Sequence, residues 1–277
     1  VGPPRQVQWL AGPRWQIHHD MVPSLSAMVS AGGRLFYVVN EAPAGVLGLP
    51  GKWFLVARDA FNGVLLWKHP MPEWGWQQWG RGQMVGRSEP PSHLARRLVA
   101  AGDRVYATLG FNAPVTAIDA ATGEIVDTYQ GTEHTSEIVL RDGLLLLAVN
   151  QGRLAHGQGK KQPPVKSRIV ALRADTGKVL WRTEAYRGVS ATRAESGRST
   201  RLAITLGNDH VFFLDGTDVV ALDLATGQEG WRAARPQHAE LELWTHYHQP
   251  QHRCALVYQD GVLLMAQHRM GKDHVPY

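Results

Sequence analysis

The chain has 277 residues, 44% of them hydrophobic, and its 29 Lys+Arg against 24 Asp+Glu give a formal net charge of +5. That apolar content supports a large core and excludes an intrinsically disordered chain. One cysteine, Cys254, excludes an intrachain disulfide and a Cys-based zinc site, and the longest apolar run, Leu144–Val149, is far too short to span a bilayer as a helix.

Residues 1–27 open on a Pro-rich, linker-like stretch, show no signal peptide, begin with Val1 rather than Met, and carry Trp9 and Trp15. The chain therefore reads as a fragment or a processed product. From there a single pattern recurs. A turn with Gly or Asp leads into a short apolar strand, and a second strand then ends in A-x-D-x-x-x-G-x-x-x-W. The first copy is Ala57, Asp59, Gly63 and Trp67. The second is Ala117, Asp119 and Gly123, with Asp127 at the Trp position. The third is Ala171, Gly177 and Trp181, with Arg173 at the Asp position. The fourth, Ala221, Asp223, Gly227 and Trp231, is complete. A fifth signal of turn and strand, Asp260–Ala266, has no motif after it.

Strands of four to eight residues separated by turn signals, without helical periodicity, predict an all-β fold. In the motif, Asp or Thr side chains can bond turn amides, and Gly accepts a positive φ. A large aromatic at a fixed offset suits a ring of sheets in which each Trp packs on the neighbouring unit. Spacings of 60, 54 and 50 residues with about four strands per unit predict a β-propeller. The expected units are 28–72, 95–131, 136–184 and 200–236, with a partial one at 253–277. Segment 1–27 could supply ring-closing strands. A small ring closed this way and an excerpt of a larger ring both remain open. The motif Asp, Gly and Trp residues are structural on this reading.

Binding on such a scaffold belongs to its loops. Insertions are expected near Glu41–Trp53 and Asn150–Ser167, with long connections at Pro70–His93 and Pro236–Arg253. The first connection holds Trp74, Trp76 and Trp79, a candidate stacking platform for a planar ligand or sugar, or else the cover of an apolar sheet edge. The second holds His246, His248 and His252. His246 and His248 would share one face of a strand and are weak candidates for a metal, with scattered surface histidines the plainer reading. Lys160, Lys161, Lys166 and Arg168, and Arg193, Arg198 and Arg201, form basic loops with few aromatics, which reads as solvated surface rather than a nucleic-acid site. No serine-hydrolase elbow or phosphate-binding glycine loop is present.

The repeated motif resembles the tryptophan-docking motif of the pyrroloquinoline-quinone (PQQ) propeller superfamily, over about residues 28–236. That superfamily includes quinoprotein alcohol dehydrogenases and the non-catalytic propeller of an outer-membrane assembly lipoprotein. Val1–Trp9, Ala60–Trp67 and Arg96–Ala100 further resemble large secreted PQQ-like repeat proteins of planctomycete-type bacteria. The resemblance implies a periplasmic or secreted location, a protein partner or small ligand held by propeller loops, and further domains in a longer chain. It implies no cofactor for a scaffold, or PQQ with calcium for a dehydrogenase oxidising an alcohol or sugar. The single cysteine rules out the vicinal Cys-Cys ring of many such enzymes, and no calcium-ligand motif aligns. The expectation is therefore a non-catalytic binding or scaffold propeller, with a dehydrogenase as the alternative.

Overall fold

A computed structural model describes residues 7–11, 25–42, 51–75, 78, 94–152, 166–188, 202–234 and 255–266. Its regular elements are eighteen β-strands and one 3-10 turn, Leu94–Arg96. The first sheet holds β1 (Leu25–Ala31), β2 (Arg34–Asn40), β3 (Trp53–Asp59) and β4 (Leu65–Pro70). The second holds β5 (Leu98–Ala101), β6 (Arg104–Thr108), β7 (Val115–Asp119) and β8 (Ile125–Tyr129). The third holds β9 (Thr135–Arg141), β10 (Leu144–Asn150), β11 (Ser167–Arg173) and β12 (Val179–Arg182). The fourth holds β13 (Thr205–Leu206), β14 (His210–Asp215), β15 (Asp218–Asp223) and β16 (Glu229–Ala234). The fifth is described as β17 (Ala255–Gln259) paired with β18 (Val262–Ala266). Strand order within each sheet follows the chain, and the pairing is antiparallel. The chain is thus an array of propeller blades.

Four buried clusters knit consecutive sheets. One joins Phe36, Leu55 and Trp67 of the first sheet to Leu98, Val105 and Ile118 of the second. The next joins Tyr106 and Tyr129 to Leu145, Leu147 and Leu172. A third joins Leu146, Ala148 and Ile169 to Val211, Phe213 and Leu222. The last joins Phe212 and Leu214 to Leu256 of the fifth. Leu145 and Leu147 thus face one neighbour while Leu146 and Ala148 face the other. A strand buried on both faces needs no polar alternation, which explains the unbroken run Leu144–Val149.

The motif forms the turn between the third and fourth strands, and its bonding repeats. The residue after the motif Asp donates its N–H to the hairpin between the first two strands: Ala60 to Gly33, Ala120 to Asp103, Ala174 to Gly143 and Leu224 to Asp209, at 2.8–2.9 Å. Its carbonyl accepts from an aromatic side chain of the preceding unit. Trp67 Nε1 donates to Ala120 O at 3.1 Å, and Trp181 Nε1 to Leu224 O at 3.0 Å. The same ring lies on the motif glycine, which has a positive φ in every copy. A Cβ at Gly123 would stand 2.7 Å from Trp67, and Gly227 is covered as closely by Trp181. Only glycine fits, for conformation and for space alike.

The two irregular copies show how this survives substitution. Asp127 pairs with Ala117 in the register where Trp67 pairs with Ala57. The docking ring comes instead from Tyr129, two residues on and therefore on one face with Asp127. It covers Gly177, and its hydroxyl donates to Ala174 O at 2.5 Å. Arg173, at an Asp position, leaves the backbone turn intact, with Gly177 N–H on Arg173 O at 2.8 Å. In the regular copies the Asp carboxylate accepts turn amides, as Asp119 does from Ala121 and Thr122 at 2.9 Å each. Those N–H donors hold Asp119 below the usual carboxylate range.

Trp231 differs. It is 43% exposed and leans on Phe212 at 5.8 Å between ring centroids, and no motif turn follows it among the described residues.

Candidate functional site

Antiparallel order fixes which connections share an end of the sheets. The hairpins between first and second strands and the motif turns lie at one end, and all are short. At the other end lie the connections between second and third strands and those between sheets. The longest of the sequence intervals between strands that end and begin there are 41–52, 71–97, 151–166, 183–204 and 235–254. Every insertion expected from the sequence therefore leaves this second end, which is the candidate site.

Its described part is dominated by Glu137, the third residue of β9, which is wholly buried. Oε1 accepts the backbone N–H groups of Leu202 and Ala203 at 2.9 Å each, and Oε2 that of Ile204 at 3.1 Å. Ala203 has φ +54°, which turns successive amides inward as an anion cradle. Arg96 Nη1 donates to Oε2 at 2.8 Å from the 3-10 turn ahead of β5. One carboxylate thereby ties the second, third and fourth sheets. A buried charge is tolerable only when paired and fully hydrogen-bonded.

Beside it, Arg97 is buried, and desolvation pulls its guanidinium down to about 9, so it is still cationic at neutral pH. It donates to Phe111 O at 2.7 Å and lies over the rings of Phe111 and Trp74, 4.7 and 5.5 Å from their centroids. Trp74 is 3% exposed and meets Phe111 edge-on. In this structure it lies in the buried cluster between the first and second sheets and has no open face for stacking. Trp76 and Trp79 lie outside the described residues, as do His246, His248 and His252 and most of the basic loop residues.

Neither Glu137 nor His134 was legible as a site residue. His134 has φ +64° and its Nδ1 lies 3.0 Å from Asn112 Oδ1. Its carbonyl accepts from Asn150 Nδ2 at 3.1 Å, and Asn150 Oδ1 accepts from Ser167 Oγ at 3.1 Å. This network fastens both ends of the 151–166 connection to the second sheet's side of the molecule. The structural motif residues Asp59, Gly63, Asp119, Gly123, Gly177, Asp223 and Gly227 all sit at the opposite, short-turn end, with Trp67 and Trp181 docked among them.

Among known proteins, the sequence family described as outer membrane protein assembly factor BamB matches residues 11–247. The chain belongs to that family. No curated protein matches it in sequence. Solved structures that resemble it include BamB from Moraxella catarrhalis, at 15% identity and a TM-score of 0.41, covering 74% of this chain and 47% of that one. The quinohemoprotein alcohol dehydrogenase from Comamonas testosteroni stands at 16% and 0.47, covering 91% and 40%. The chain thus spans less than half the length of either.

The dehydrogenase alternative raised by the repeat motif would need PQQ with calcium. Among the described residues no group of three or more His, Cys, Asp or Glu is placed to hold a metal ion. Glu137, the buried carboxylate nearest the candidate site, has its oxygens committed to backbone amides and Arg96. The described residues at this end do not fit a quinone-calcium centre. Among the described residues no helix is long and apolar enough to cross a membrane.

Proposed function

We propose that the chain is a non-catalytic propeller acting as an exported binding or scaffold module, and that its long connections engage a protein partner or small ligand. The observation that carries this reading is the commitment of Glu137, Arg96 and the His134–Asn112–Asn150 network to bracing sheets and loop ends at the loop-bearing end. Such bracing gives variable loops a rigid base, as loop-based recognition requires. The description of the matched family, an outer membrane protein assembly factor, supports both the export and a protein as the partner.

A titration with PQQ and calcium, followed by fluorescence of the ten tryptophans, tests it. The expected result is no saturable quenching in a folded sample. Saturable, calcium-dependent quenching at micromolar concentration or below would replace the scaffold with a quinoprotein dehydrogenase.

A further inference from the structure

The first motif turn, Asp59–Val64, is filled by a different kind of donor from the other three. Trp67, Tyr129 and Trp181 stand on the outermost strands of neighbouring sheets. Trp9 stands on the segment Val7–Ala11, which has no strand pairing among the described residues. Its flanks are open, with Val7 72% and Leu10 90% exposed. Yet the docking is the same. Trp9 Nε1 donates to Ala60 O at 3.1 Å, and a Cβ on Gly63 would stand 2.6 Å from the indole. An aromatic side chain from outside the described sheets thus occupies this groove.

The turn also holds its shape by other means. Asp59 Oδ1 accepts the N–H groups of Phe61 and Asn62 at 2.8 and 2.9 Å. Arg58 Nη1 donates to Gly63 O at 2.6 Å, and Arg58 Nε to the Tyr37 hydroxyl at 2.8 Å. The acceptor carbonyl and the bare glycine face are therefore preformed, which lowers the cost of binding. The rim is distinct as well. Phe61 and Val64 are exposed here, where the other turns carry Ala121 and Glu124, Asp175 and Lys178, and Ala225 and Gln228. An apolar rim around an aromatic slot favours an apolar peptide.

We propose that the Asp59–Val64 turn is a docking site for an extended segment of another polypeptide bearing an exposed tryptophan, and that Trp9 is its exchangeable in-chain occupant. The site lies at the short-turn end, away from the long connections, so it stands whether or not the scaffold reading does. Full-length Trp9→Ala protein is titrated with a labelled peptide of the sequence from Gln6 to Ala11, followed by fluorescence anisotropy. Saturable binding is expected, with at least a tenfold loss when the peptide's Trp is replaced by Ala or when Gly63→Ala is added to the protein. Wild-type protein should bind several-fold more weakly, because its own Trp9 competes. Trp9→Phe fills the groove without an N–H donor and gives a second background, in which binding should be intermediate. Folded Trp9→Ala or Trp9→Phe protein that binds no peptide, or binds the Trp and Ala peptides equally, overturns the proposal.

Discussion

At the short-turn end four motif turns of different sequence are bonded alike, whereas at the long-connection end the intervals between strands differ widely in length. There the link between second and third strands ranges from Gly216–Thr217 in the fourth sheet to 151–166 in the third. The first end recognises backbone: a carbonyl, an amide and a glycine face. Side chains around those features can change, as Arg173 and Tyr129 demonstrate. The second end is held by individual side chains, above all Glu137, and so its architecture belongs to this chain rather than to the repeat. A fold can be specified at one end and diversified at the other because, among the described residues, the hydrogen bonds that brace the two ends share no residues.

The sharpest way to break the symmetry of the short-turn end is Trp67→Ala. It removes a buried ring and its bond to Ala120, and should cost about 3–5 kcal/mol in denaturant unfolding. At the other end, Glu137→Gln keeps the shape but removes the charge that faces Arg96 and three amides. A loss of about 1.5–3 kcal/mol is expected, with a melting transition several degrees lower, by about 2–4 °C per kcal/mol for a chain of this size. A smaller effect comes from acid. Asp119 and Asp223 titrate below the usual carboxylate range because turn N–H groups and Thr hydroxyls donate to them. Their contribution is complete above about pH 4, the unfolded value, and is lost as pH falls through the lower folded values. Thermal stability should decline over that window, and an Asp119→Asn/Asp223→Asn variant should show a flatter profile there. Least of all, replacing 153–165 with a short Gly-Ser linker should leave stability within about 0.5 kcal/mol, while abolishing any partner binding that uses this loop. A large loss of stability would mean that the loop braces the sheets, and the contrast between the two ends would fail.

The repeat was legible because turn chemistry is local: Asp, Gly and Trp at fixed offsets announce the turn and the strand after it. The partner of each ring was not. Trp67 meets Gly123 only once the next unit has folded, and the motif register drew attention to Asp127 although Tyr129 does the docking. Glu137 was invisible for a different reason. Its partners are backbone amides 65–67 positions away, and backbone donors leave no trace in sequence. Trp74 read as a candidate stacking surface, with a sheet cover the plainer reading, because a tryptophan in a loop does not declare which way it faces. Burial by Phe111 and Arg97 decides that in the folded chain.

The forward direction of the docking also orders events during synthesis. Each ring is made before the turn that receives it: Trp67 before Gly123, Tyr129 before Gly177, Trp181 before Gly227. A newly finished unit therefore carries an unsatisfied aromatic, which the next unit captures as it leaves the ribosome. Assembly becomes a one-way relay in which each docked ring is sealed by the following unit, while Trp231 meets no motif turn among the described residues.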